Sequence, residues 1–263
     1  MSDGLNYVFS GIEKQVADKP AASRRQFVAG AAATLGGLGL LNIPSAAKAG
    51  HGGESTADII NVAATAEVLA TIVNTIGFRR GLGRDAVTQR NIKAAAREEL
   101  VHYNVLTSLG AKPLTKRIWV PDAVFASRTN LLNTLQVGDQ IFVNAYLIAT
   151  LHFGNMGNGE FATFTAEFMG VEGVHRALAR QSLGLLGNDR VFMKFDQVER
   201  AVGAPNRGQR GFEKATDAVG QLQAAGFGFG AEGATPGRFY HFDNVKQSTP
   251  TDPALNTFTP DAA

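Results

Sequence analysis

The same four-residue pattern, Glu-x-x-His, stands twice in this chain, as Glu99-Leu100-Val101-His102 and as Glu172-Gly173-Val174-His175. Residues three apart share one face of a helix, so each copy aims a carboxylate and an imidazole at one point. Both copies lie in long apolar segments. A carboxylate in such a segment needs a partner or a metal, because burying it alone is costly. The repeat therefore favours two helices whose polar pairs face a common interior.

The rest of the pattern is consistent with four long helices. Ser55 or Thr56 can cap a first helix that runs to about residue 78 and is apolar on more than one side. A turn at Gly81-Leu82-Gly83-Arg84-Asp85 leads to a second helix over about 86–109, stopped by Gly110. Residues 111–127, with two prolines and the only tryptophan, Trp119, read as a long crossing loop. Trp119 is expected to pack that loop onto the helices. A third helix is predicted over about 130–152 and a fourth over about 160–186, separated by a Gly- and Asn-rich turn. Each half is thus helix, turn, helix, with Glu-x-x-His in its second member. Beyond residue 190 the pattern changes. Short helices are expected over about 192–202 and 212–225, a polar loop over 204–211, a glycine-rich stretch over 226–237 and an extended tail from Asn244. The glycines at 226–230 lack the strand and Lys-Ser/Thr context of a phosphate loop.

Two further carboxylates stand out by their isolation. Glu67 is the only acidic residue between Ile59 and Gly83, and Asp139 the only one between Ala123 and Gly159. Each sits near the middle of the first helix of its half. The candidate metal ligands are therefore Glu67, Glu99, His102, Asp139, Glu172 and His175. One carboxylate from each of two helices, plus a carboxylate and an imidazole from each of the other two, is the donor set of a two-metal helical site. Hard oxygen donors with imidazole suit iron or manganese. Other readings stay open at this level. Asp139 can be an N-cap after Gly138, and Glu67 can pair with Lys93 or Arg97. Tyr103 and Tyr146 can be hydrogen-bond donors to the site, oxidisable groups, or amphipathic core residues. Glu98 and Glu167 fall on other faces and read as solvated. His152 reads as a satisfied polar end of its helix, and His51 and His241 carry no assignment.

On these residues the chain resembles the ferritin-like superfamily. The matching positions are Glu67, Glu99-x-x-His102, Asp139 with Ala145-Tyr146, and Glu172-x-x-His175. Within that superfamily it is most similar to exported ferritin-like proteins related to plant desiccation-related proteins. The resemblance spans about residues 56–186. It implies an all-α fold with a ferritin-like four-helix bundle, taken over residues 50–190; the C-terminal extension expected over 191–263, with its short helices and extended tail, lies beyond the resemblance. The resemblance also implies a di-iron or di-manganese centre. One departure bears on that centre. The third-helix ligand of the superfamily is normally Glu, and Asp139 is one methylene shorter, which leaves it to bridge poorly, to serve one metal, or to serve none.

The N-terminus has the form of an export signal. Ser23-Arg24-Arg25-Gln26-Phe27-Val28 is a twin-arginine sequence, an uncharged Ala/Gly/Leu-rich run follows, and Ala47-Lys48-Ala49 offers a small-x-small cleavage site. Residues 1–49 are therefore expected to engage the twin-arginine translocation machinery, with a periplasmic or extracellular product. Membrane association is expected only if the signal is uncleaved. Acidic and basic residues balance after residue 49, with no basic stripe, so nucleic acid is not an expected partner. With no cysteine, a disulfide framework, a thiolate metal site and a cysteine nucleophile are excluded. A homo-oligomer is left open. The functional expectation is oxygen- or peroxide-related redox chemistry or stress protection at a di-metal centre. The alternative of another class is a metal-free bundle with a protective or scaffolding role. Iron storage in a shell ranks third.

Overall fold

A computed structural model describes residues 53–188 and 214–252. The export signal expected over 1–49, the helix expected over 192–202 and the loop expected over 204–211 lie outside the described residues. The described part is mainly helical. Four long helices come first: α1 (Thr56–Arg79), α2 (Ala86–Ser108), α3 (Arg128–Asn155) and α4 (Gly159–Ser182). Helix α1 packs along α2, and α3 along α4. The pairs then meet through α1 with α3 and α2 with α4.

Local chemistry sets the helix ends. Ser55 caps α1 and forms a reciprocal capping box with Asp58. Asp85 caps α2 by accepting from the Thr88 N–H at 2.8 Å. Ser127 and Asn158 do the same for α3 and α4, at 3.1 Å each. Gly110 follows α2 with a φ of +96°, the left-handed conformation that an exposed helix end needs and that side chains disfavour. Helix α4 ends at Ser182 rather than near Leu186, because Gly184 takes a φ of +76°.

Helix α1 is buried on nearly every side. It is long and apolar enough to cross a membrane by composition, yet 83% of its most apolar window is covered by the rest of the chain. Ile59, Val68, Ile72 and Val73 anchor the core together with Leu131, Leu132 and Phe153 of α3. Burial of that apolar surface is the main favourable term in folding. It also supplies the low-dielectric interior in which the polar residues sit.

The all-α expectation holds broadly, and the crossing segment adds a small sheet to it. The segment expected as a plain crossing loop contains β1 (Arg117–Pro121) and a 3-10 turn (Asp122–Phe125). Strand β1 is the centre of a three-stranded antiparallel sheet, flanked by β2 (Gly228–Phe229) and β3 (Gly237–His241). Trp119 stands opposite Gly228 on one side and Phe239 on the other. Ile118 and Val120 are fully buried and join the same core cluster as the helices. Trp119 packs edge-on against Phe239 and donates from Nε1 to the Ala234 carbonyl at 2.9 Å. It therefore ties the crossing segment to the C-terminal region more than to the helices. A Cβ at Gly237 would come 2.4 Å from Trp119 Nε1, so only glycine lets the strand approach this ring. The strands are short and pair over more than 100 residues of sequence, so no local alternation announces them.

The C-terminal region is also more ordered than its composition suggests. Helix α5 (Asp217–Ala224) is shorter than expected and packs on α3 and α1. Helix α6 (Phe242–Lys246) occupies the start of the expected extended tail and packs on α1, with Phe242 fully buried against Tyr103.

Candidate metal centre

Each of the four long helices contributes to one buried polar cluster. Helix α1 supplies Glu67, α2 supplies Glu99 and His102, α3 supplies Asp139, and α4 supplies Glu172 and His175. Glu67, Glu99 and Glu172 are fully buried, and His102, Asp139 and His175 nearly so. Asp139 lies well inside α3, whose N-cap is Ser127, so the capping role is excluded. Lys93 does not partner Glu67, as its Nζ lies 3.1 Å from Asp252.

The geometry pivots on the two Glu-x-x-His carboxylates. Glu99 Oε2 lies 3.7 Å from His102 Nδ1, and Glu99 Oε1 lies 3.2 Å from His175 Nδ1. Glu172 Oε1 lies 3.3 Å from His102 Nδ1, and Glu172 Oε2 lies 3.5 Å from His175 Nδ1. Each carboxylate therefore turns one oxygen toward each imidazole. Glu67 Oε2 lies 3.7 Å from His102 Nδ1 and marks that end of the cluster. Asp139 belongs to the other end, where it feels the charges of Glu172, His175, Glu99 and Arg176. Arg176 is fully buried beside it.

Four further contacts hold these groups in place. Tyr146, two turns after Asp139 on α3, donates its hydroxyl to Glu67 Oε1. Asn74, two turns after Glu67 on α1, reaches Glu99 Oε1 at 3.5 Å, the long limit of a hydrogen bond. Phe168 lies against the His102 ring, with centroids 4.2 Å apart. Glu98 Oε2 lies 2.6 Å from His175 Nε2, the ring edge that faces away from the cluster. Glu98 is therefore not a solvated residue, and this expectation is corrected. Glu167 is exposed, as expected. Tyr103 packs in the core, and His241 lies exposed in β3.

The electrostatics follow from burial. Removal from water pushes the Glu67 carboxyl up to about 7, with the charge of Glu99 adding to the rise and His102 opposing it. Burial and the Glu172 charge push the Asp139 carboxyl well above its ordinary range. For His102, burial favours the neutral ring. The Glu67 charge and the close carboxylates of Glu172, Glu67 and Glu99 outweigh it and raise its pKa. For His175, burial is likewise outweighed, by the close carboxylates of Glu172, Glu98 and Glu99, of which Glu98 is hydrogen-bonded to Nε2. Without a cation, the cluster thus holds protons to balance its carboxylates.

A metal fits the donor atoms that face inward. Glu67, Glu99, His102 and Glu172 offer ligand atoms that lie within 4.8 Å of one another. Glu67 Oε2, Glu99 Oε2, His102 Nδ1, both Glu172 oxygens and His175 Nδ1 are buried without a hydrogen-bond partner. Unsatisfied buried polar atoms are rare in folded proteins and call for an explanation. One cation placed among them would satisfy several at once. This buried group can hold a metal ion. Compared with protein-family models, curated proteins and solved structures, the chain gives no match.

Proposed function

We propose that this chain is an exported ferritin-like four-helix-bundle protein. On this reading its interior holds a two-metal carboxylate–imidazole centre of iron or manganese, acting on dioxygen or peroxide. The observation that carries the reading is the division of oxygens at Glu99 and Glu172, one toward His102 and one toward His175. Glu99 and Glu172 would each offer one oxygen at the His102 end and one at the His175 end. Glu67 would complete the His102 end and Asp139 the His175 end. Iron or manganese held there supplies reversible one-electron chemistry and a Lewis-acid face for a small oxygen species.

The chain's own residues have definite tasks in this reading. His102 and His175 would offer Nδ1, the ring atom that each turns toward the carboxylates, and would give up a proton there as a metal bound. Glu98 keeps the His175 Nε2 proton and so fixes the tautomer that presents Nδ1 to the centre. Tyr146 holds Glu67 by one oxygen and leaves the other facing inward. Phe168 covers the His102 end and keeps water from it.

One observation favours a metal-free scaffold instead. The buried Arg176, with two imidazoles whose pKa the surrounding carboxylates raise, can offset the buried carboxylates without any ion. Metal content separates the two readings. The protein purified from its own export route should carry two equivalents of iron or manganese, and the double variant Glu172→Ala/His175→Ala none. One equivalent in the wild type would point to Asp139 as the weak ligand, with Asp139→Glu restoring the second. No metal in carefully reconstituted wild-type protein would leave the scaffold. Export is tested by replacing Arg24 and Arg25 with Lys, and undiminished secretion of that variant would overturn the twin-arginine assignment.

A further inference from the structure

The two ends of the polar cluster differ in what covers them. At the His102 end, the Phe168 ring lies on the imidazole and Tyr146 closes off Glu67. An apolar pocket has Tyr146 in its wall. It is lined also by residues such as Ala66, Leu106 and Ala149. None of the six candidate ligands lines it. At the other end, a second pocket runs between α2, α3 and α4, and Asp139 and His175 are part of its wall. Both are slightly exposed, at 5% and 7%, whereas Glu67, Glu99 and Glu172 are at 0%.

At one end of this second pocket stand the hydroxyls of Thr88 and Ser182, and its middle, the waist, is apolar. Thr88 Oγ1 lies 3.0 Å from Ser182 Oγ, and Asp85 and Arg128 gather on the same hydroxyl. Farther in, Ala95 of α2 and Ala179 of α4 line the passage. Its free volume is about 20 Å³, room for one or two water-sized molecules. Asp139 lines its inner end, and a side chain one methylene longer would extend farther into that space.

We propose that this pocket is the entry to the centre, admitting ions and small anions to the His175–Asp139 edge while the His102–Glu67 edge stays sealed. The proposal rests on the two-metal reading. Two consequences follow. The ion at the His175 end exchanges faster than the ion at the His102 end. Only ligands of a few atoms reach the centre, and they reach it from one side.

The test uses the full-length protein loaded with Co²⁺, whose absorption reports its coordination. EDTA is added, and metal loss is followed in stopped flow. Azide binding is followed in the same way. Wild-type protein should lose cobalt in two phases of equal amplitude. In Ala95→Leu and in Ala179→Leu, added bulk fills the waist. The fast phase and the azide response should slow several-fold, while cobalt stoichiometry and melting temperature hold. Ala149→Leu, which fills the apolar pocket instead, should change neither rate. If either waist variant fails to fold, Ser182→Leu blocks the same passage at its hydroxyl end. Full cobalt binding with unchanged rates in the waist variants would overturn the entry and leave the two-metal reading standing. So would equal slowing by Ala149→Leu. A wild-type protein that binds no cobalt would overturn both.

Discussion

Glu98 offers the sharpest test of how the chain tunes its candidate centre. Its carboxylate lies 2.6 Å from His175 Nε2, a short contact between a ring N–H and an anion, with the side chain only 22% exposed. A hydrogen bond to a charged group contributes about 1.5–3 kcal/mol. Loss of such an outer partner of a ligating histidine weakens metal binding by about 10–100-fold, the same energy scale. Glu98→Ala is therefore expected to lower affinity for the ion at the His175 end by that factor. Glu98→Gln keeps an acceptor but no charge, and should fall between. The assay is a competitive titration of Co²⁺ against a chromophoric chelator at fixed pH, with melting temperature as the control for folding. A second arm places Glu98→Ala on a His175→Ala background. If Glu98 acts through the imidazole, its removal there should have no further effect. An unchanged affinity in Glu98→Ala would refute the reasoning. An equal loss with and without His175 would refute it as well.

Two further expectations concern the metal-free protein. The Glu67 carboxyl is raised from 4.5 to about 7, and both imidazoles titrate well above 6.5. Groups raised in the folded state stabilise it below their unfolded values and lose that contribution as pH rises through the folded values. The melting temperature without metal should therefore fall between about pH 5 and pH 8, while the gain on adding metal should grow, because loading releases these protons. Glu98 acts in the opposite sense: burial would raise its carboxyl, but the His175 hydrogen bond outweighs it, so its contribution is lost only below about pH 4.5. A flat or rising profile in calorimetry from pH 5 to 8 would contradict this balance. Tyr146→Phe removes the donor to Glu67 Oε1 and should cost about 1–3 kcal/mol of stability in denaturant titration, while Glu67 Oε2 still faces the centre and metal stoichiometry holds. Unchanged stability would mean that Tyr146 does not hold Glu67.

The parts of this protein that the sequence determined by itself are those set by local rules. The four long helices appear where apolar periodicity, Ser55 and the Asp85 turn place them, because capping and helical spacing act within a few residues. The Glu-x-x-His spacing put each carboxylate beside its imidazole for the same reason. The isolation of Glu67 and Asp139 in apolar helices marked them for the interior, since an ionisable group there needs partners. Tertiary structure decided what crosses from helix to helix. Glu98 sits on a different face of α2 from Glu99, and only the approach of α4 brings it to the outer edge of His175. The division of Glu99 and Glu172 between two imidazoles is a property of four helices packed together, and no single helix contains it. Arg176 adjoins His175 in the sequence, but its complete burial beside Asp139 depends on α3. The small sheet was hidden too, because Ile118-Trp119-Val120 finds its partners beyond residue 227, and pairing over that distance leaves no local trace.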